Sequence, residues 1–148
     1  MKQEITEKEK KVYVTLYKKD GASYALTLLA ILAEFVYVIS ILDVMPVGFL
    51  MGVTVIVNIF LLFLLFTCAV KVNVYEMQWA VVGLVTGVYM VLRQFVLVPF
   101  ILQPYDRAQI ILATNVAGAI LLFVAGTKSL QKSTKRQKLQ QKLAHPNV

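Results

Sequence analysis

The chain has 148 residues, 59% of them hydrophobic and 16% charged, with a formal net charge of +7. A soluble domain of this size carries about 45–50% apolar and about 25% charged residues. With the apolar residues gathered in long runs, these figures exclude a soluble single-domain enzyme and indicate an integral membrane protein.

Residues 1–21 form a polar leader, too polar to be the apolar core of a signal peptide. Within it Val12, Tyr13, Leu16 and Tyr17 recur at helical spacing against Lys10, Lys11, Lys18 and Lys19. This pattern predicts a short interfacial helix on the inner leaflet, with Asp20 or Ser23 capping the helix that follows.

Four apolar stretches come next, at 22–42, 47–70, 78–102 and 108–126, and together they form one transmembrane domain over 22–126. At 1.5 Å per residue they are roughly 28–37 Å long, enough to cross a hydrocarbon core of about 30 Å. In lipid every backbone polar group needs an internal partner, so each stretch is expected to be an α-helix. Residues 43–46 end the first, and Pro46 suits the opening of the second, where a missing N–H costs little. Pro99 is expected to bend or fray the end of the third. Connectors this short make successive helices antiparallel neighbours. The expected fold is therefore an all-α bundle of four antiparallel transmembrane helices, followed by a basic helical tail over 127–148.

The positive charge sits at the two ends. Lys2, Lys8, Lys10, Lys11, Lys18 and Lys19 precede the spans, Lys128, Lys132, Lys135, Arg136, Lys138 and Lys142 follow them, and Lys71 lies in the middle connector. The other two connectors hold one basic residue, Arg107. The positive-inside rule puts both termini in the cytoplasm, consistent with an even number of crossings of what is expected to be the cell membrane. The tails are expected to meet anionic inner-leaflet lipid rather than nucleic acid.

Two charged residues fall inside spans, Glu34 in the first and Arg93 in the third. A charge near the bilayer centre costs about 2.5–3.5 kcal/mol on insertion scales and therefore usually faces the protein interior. Counted from the ends of their helices, both lie roughly 12–14 Å below the outer boundary. An ion pair is the most economical arrangement. Asn115 in the fourth span and Asn58 in the second fall in the same half of the membrane, so each span supplies one strongly polar residue. The expected site is a buried polar cluster of Glu34, Arg93 and Asn115, with Asn58 and Tyr37 as further members. Such a cluster can fix helix register, mark a pathway, or pair with a second subunit.

Two small-xxx-small motifs, Gly48 with Gly52 and Gly83 with Gly87, permit close helix approach. Gly87 lies about 120° around the third helix from Arg93, so the glycine face and the charged face differ, and one can face a bundle neighbour and the other a second protein. Methionines 45, 51, 77 and 90 read as packing residues. The lone Cys68 and lone His145 supply neither a disulfide framework nor a metal site, and no catalytic motif is present, so no catalytic residue, metal or cofactor is expected.

The run Ala30, Ile31, Leu32, Ala33, Glu34 resembles the first-helix motif of the small multidrug resistance family of proton-coupled exporters. That resemblance covers five residues and implies a glutamate that acts unpaired as proton and substrate site. Arg93 at the same depth departs from it. Two functions follow from the residues. One is a non-catalytic accessory, scaffold or assembly subunit of a larger membrane complex, partnered by another membrane protein or by itself. The other is a small oligomeric transporter or channel using the Glu34–Arg93 pair, although an opposing arginine works against a protonation cycle.

Overall fold

The structure is a computed structural model that describes residue 7 and residues 19–101 and 108–144. The expected interfacial helix and the connector between the third and fourth spans lie outside the described residues. Four helices account for nearly all of the rest: α1 (Gly21–Leu42), α2 (Phe49–Asn73), α3 (Met77–Ile101) and α4 (Ala108–Ala144). No strand occurs among the described residues.

Each helix starts and stops for local reasons. Asp20 caps α1, its carboxylate accepting the Ser23 backbone N–H at 3.3 Å, which satisfies one of the orphan donors at a helix start. The end of α1 tightens as the backbone N–H groups of Asp43 and Met45 donate to Ile39 and Ile41. Pro46 falls in the connector, not at the opening of α2, which begins at Phe49 behind Gly48. α2 runs three residues beyond the expected end, to Asn73. A tight turn then reverses the chain, with Tyr75 in the left-handed region at φ 64° and its N–H bonded to Val72. α3 remains helical through Pro99. α4 passes residue 126 without a break and carries the basic segment on as one helix of 37 residues.

The buried faces follow the helical period. On α1 the buried residues are Ser23, Thr27, Ala30, Glu34, Tyr37, Ser40 and Ile41, and on α2 Thr54, Asn58, Leu61, Leu65, Cys68, Ala69 and Val72. These steps of three and four keep one stripe inward. α1 packs on α2 and α4, and α3 also packs on α2 and α4, which closes a ring of four. The start of α1 is tied to the end of α2 by the Asp20 N–H donating to Asn73 at 2.9 Å.

The outward faces are greasy. Phe35 and Ile39 on α1, Phe60 and Phe63 on α2, Val85 and Leu92 on α3, and Leu112 and Ile120 on α4 are all exposed. Threonine hydroxyls on these helices donate back to their own backbone, as Thr27 does to Ser23, Thr67 to Phe63 and Thr114 to Ile110. Polar groups satisfied within their own helix suit a surface that meets hydrocarbon. Among the described residues three helical stretches are long and apolar enough to cross a membrane: Gly21–Leu42, Phe49–Asn73 and, within α4, Ala108–Gln141. α3, at 25 residues, also has the length to span.

Candidate functional site: a buried ionic cluster

One side chain from each helix converges on a single layer. Glu34 comes from α1, Asn58 from α2, Arg93 from α3 and Asn115 from α4. Glu34 and Asn115 have no exposure, and Arg93 and Asn58 retain only 4% each.

Arg93 organises the layer. Its Nη1 donates to Glu34 Oε1 at 2.7 Å and its Nη2 to Glu34 Oε2 at 2.5 Å. This is the bidentate geometry for which the rigid guanidinium fork is suited. Nη1 also donates to Asn58 Oδ1 at 3.2 Å, Nε to Asn115 Oδ1 at 2.7 Å, and Nη2 to the same Asn115 oxygen. That makes five hydrogen bonds, one for each N–H the group carries. The two amides are anchored in turn. Asn115 Nδ2 donates to the Met90 carbonyl at 2.6 Å and Asn58 Nδ2 to the Thr54 carbonyl at 2.7 Å. Tyr37, one turn beyond Glu34, lays its ring 3.7 Å from the Arg93 guanidinium carbon.

Apolar layers close the cluster on both sides. Towards the start of α1 stand Ala30, Leu61, Leu65, Met90, Ala119 and Leu122. Ala30, Leu61, Met90 and Ala119 are each one helical turn from a member of the cluster. Towards the other end Tyr37 packs with Ile41 and Ile111. A buried ion pair is stable only when its geometry and extra hydrogen bonds offset the loss of hydration. Here both carboxylate oxygens and every guanidinium N–H are engaged, so the arrangement can hold helices in register. It leaves the arginine no donor for a ligand. The glutamate is paired, unlike the unpaired glutamate that the exporter resemblance implies.

All five expected cluster residues therefore meet. The glycines divide differently from the expectation. Gly83 and Gly87 do not form a separate face for a second protein: a Cβ on Gly83 would lie 3.3 Å from Cys68 Sγ, and one on Gly87 3.5 Å from the Ala119 carbonyl. A Cβ on Gly48 or Gly52 would meet nothing within 4 Å. The tightest Cβ contacts fall instead in α4, at Gly126, 2.7 Å from Leu84 Cγ and 3.1 Å from the Ala80 carbonyl, and at Gly118, 2.7 Å from the Met90 methyl. Among the described residues no group of three His, Cys, Asp or Glu side chains is placed to hold a metal. The Cys68 thiol is buried and donates to the Trp79 carbonyl at 3.1 Å.

A second polar layer, not anticipated, lies at the opposite end of the bundle. Lys132 Nζ reaches Asp20 Oδ1 at 2.5 Å, joining α4 to the start of α1. Ser133 donates to the Tyr75 carbonyl at 3.4 Å and Arg136 to the Val74 carbonyl at 3.1 Å, with Arg136 also over the Tyr75 ring. These contacts explain why α4 does not stop at residue 126: its basic continuation is held by the α2–α3 turn. The signal in the sequence was Ser129 and Ser133 bracketing Lys132 at helical spacing. Compared with protein families, curated proteins and solved structures, the chain matches none of them.

Proposed function

We propose that the protein is a non-catalytic membrane bundle whose four helices all cross the bilayer, antiparallel to their neighbours, with both termini in the cytoplasm. It acts as an accessory, scaffold or assembly subunit of a larger complex in the cell membrane. The observation that carries this reading is the closure of the polar layer. Arg93 has spent all five N–H groups on Glu34, Asn58 and Asn115, and apolar layers lie on either side. A transport site needs an ionisable group that a solute or proton can reach. This cluster instead has the chemistry of a register lock.

Crossing directions are supported by the contacts. Gly118 of α4 faces Ala30 and Ala33 of α1 while Lys132 reaches Asp20, and Gly126 faces Ala80 and Leu84 of α3. At 1.5 Å per residue α3 is about 37 Å long, sufficient for a span. Lys128, Lys132, Lys135, Arg136 and Lys138 on the continuation of α4 supply the positive charge that anionic inner-leaflet lipid attracts. The exposed apolar faces of the helices are available to lipid and to a membrane partner.

The test is extraction from native membranes into lipid nanodiscs or a mild detergent after in-membrane crosslinking. The expected result is a defined, stoichiometric assembly larger than this chain. A monomer under every gentle condition overturns the reading. Proteoliposomes discriminate against transport: solute or proton flux that is lost in both Glu34→Gln and the Glu34→Gln/Arg93→Gln double variant would replace the scaffold with a transporter.

A further inference from the structure

Asp20 is wholly buried, yet only half of its carboxylate is used. Oδ1 accepts from the Ser23 N–H and from Lys132 Nζ, whereas Oδ2 has no hydrogen-bond partner among the described residues. Two fully buried hydroxyls share that condition, Ser23 Oγ on α1 and Ser129 Oγ on α4. Thr27, Thr86 and Thr127 by contrast donate to a carbonyl of their own helix, and outside this layer and Arg136 Nε the other buried side-chain atoms without a partner among the described residues are those of the Gln94 amide.

The register of α4 on α1 sets the three residues close to one level of the seam. Lys132 reaches Asp20, and Gly118, further back along α4, faces Ala30 and Ala33, further on along α1. Three residues on from Asp20 is Ser23, and three residues back from Lys132 is Ser129. By this register Ser129 of α4 stands within about one helical turn of Asp20 and Ser23 of α1, so the layer holds a carboxylate oxygen and two buried hydroxyl oxygens that have no hydrogen-bond partner among the described residues.

We propose that this layer is a binding site for a small alkali cation of the size of Na+, with the Lys132 ammonium as its tethered competitor. Hard cations take carboxylate, hydroxyl and carbonyl oxygens. One carboxylate balances one positive charge, so a monovalent ion fits the site, and a divalent ion would leave an excess beside Lys132 and Arg136. The Lys132 side chain is 38% exposed, so its long flexible stem lets the ammonium leave for solvent when an ion takes the carboxylate. Oδ2 faces the ion while Oδ1 keeps the Ser23 N–H, and the cap of α1 survives the exchange. Bound cation then bridges α1 and α4 beside the point where the basic continuation of α4 begins. The proposal is independent of the scaffold reading, which rests on the Glu34–Arg93 layer.

The experiment follows thermal unfolding of the purified full-length chain in NaCl, KCl and choline chloride at equal ionic strength. Anything that binds only the folded state raises its melting temperature in a saturable way. The expected result is a saturable rise in Na+, a smaller one in K+ and none in choline. Ser129→Ala loses no protein hydrogen bond, so it should melt like the parent in choline while losing the Na+-dependent rise. Lys132→Gln removes the competitor and should reach half-saturation at a several-fold lower Na+ concentration. Identical melting in the three salts overturns the proposal, and so does an undiminished Na+ effect in Ser129→Ala.

Discussion

Arg93 and Glu34 meet fork to fork, Nη1 on Oε1 at 2.7 Å and Nη2 on Oε2 at 2.5 Å, across 59 residues of sequence and between two helices that hardly touch elsewhere. The pair spans the middle of the helix ring diagonally, and Asn58 and Asn115 join it from the remaining two helices. Every helix is therefore tied to one guanidinium.

The first prediction concerns the coupling of that pair. Removing one partner leaves an uncompensated buried charge, a loss of about 3–5 kcal/mol, whereas replacing both with apolar groups of similar size is often neutral. Glu34→Gln and Arg93→Met should each lower stability strongly, and Glu34→Leu/Arg93→Met should lose less than the sum of the single losses, the remaining loss coming from the orphaned Asn58 and Asn115 oxygens. Unfolding in detergent, compared across the single and double variants, measures this. Additive losses would mean that the two side chains do not form the pair.

The two asparagines should differ. Asn115 accepts two Arg93 N–H groups and donates to the Met90 carbonyl, whereas Asn58 accepts one, at 3.2 Å, and donates within its own helix. An orphaned buried donor or acceptor costs about 1–3 kcal/mol. Asn115→Leu orphans two Arg93 N–H groups and Asn58→Leu one, because the Met90 and Thr54 carbonyls each still serve their own helix. The Asn115 variant should be the less stable of the two by at least about 1 kcal/mol. The reverse order in the same unfolding assay would assign the central acceptor wrongly.

The cluster was legible in the sequence because polar residues are scarce in apolar runs. Glu34 and Arg93 stand out at matching depth, and the apolar parts of the four helices hold few other strongly polar residues to pair with them. Where the signal was weaker, the expectation failed for identifiable reasons. Pro46 resembles a helix opener, but the chain needs two more residues to turn before Phe49. Glycine motifs say that a close approach is possible without saying to what, so Gly83 and Gly87 pack inside while Gly118 and Gly126, outside any motif, carry the closest contacts. The layer at Asp20 was hidden because its serines are common helix residues and its lysine resembles any other tail charge. Only the packing of α4 on α1 gives them a shared level.

Tyr37 contributes through its ring. Its face lies 3.7 Å from the Arg93 guanidinium carbon in a site without solvent, where a cation–π contact is worth up to about 2 kcal/mol. Tyr37→Phe retains the face and should change stability little. Tyr37→Leu removes it and also opens space beside Ile41 and Ile111, so a clear loss is expected. Melting temperatures of the two variants, measured side by side, decide it. An equal loss in both would move the contribution from the ring face to the hydroxyl.

The glycines provide a control within one residue type. A Cβ at Gly126 would lie 2.7 Å from Leu84 Cγ and 3.1 Å from the Ala80 carbonyl oxygen, and backbone cannot move aside as a flexible side chain can. At Gly118 the 2.7 Å contact is the terminal methyl of Met90, a side chain able to shift, although Met90 also fills the apolar layer beneath Arg93. Overpacking of this kind costs about 1–3 kcal/mol. Gly48 and Gly52 have open space, and Gly52 lies within a helix where alanine is intrinsically favoured by about 1 kcal/mol. The expected order of stability is Gly52→Ala at or above the parent, Gly118→Ala below it and Gly126→Ala lowest. Unfolding of the purified chain tests this intrinsic order. Repeating the series in native membranes tests the complex, because an apparently neutral Gly52→Ala that abolishes co-purification would place the partner against the outer half of α2.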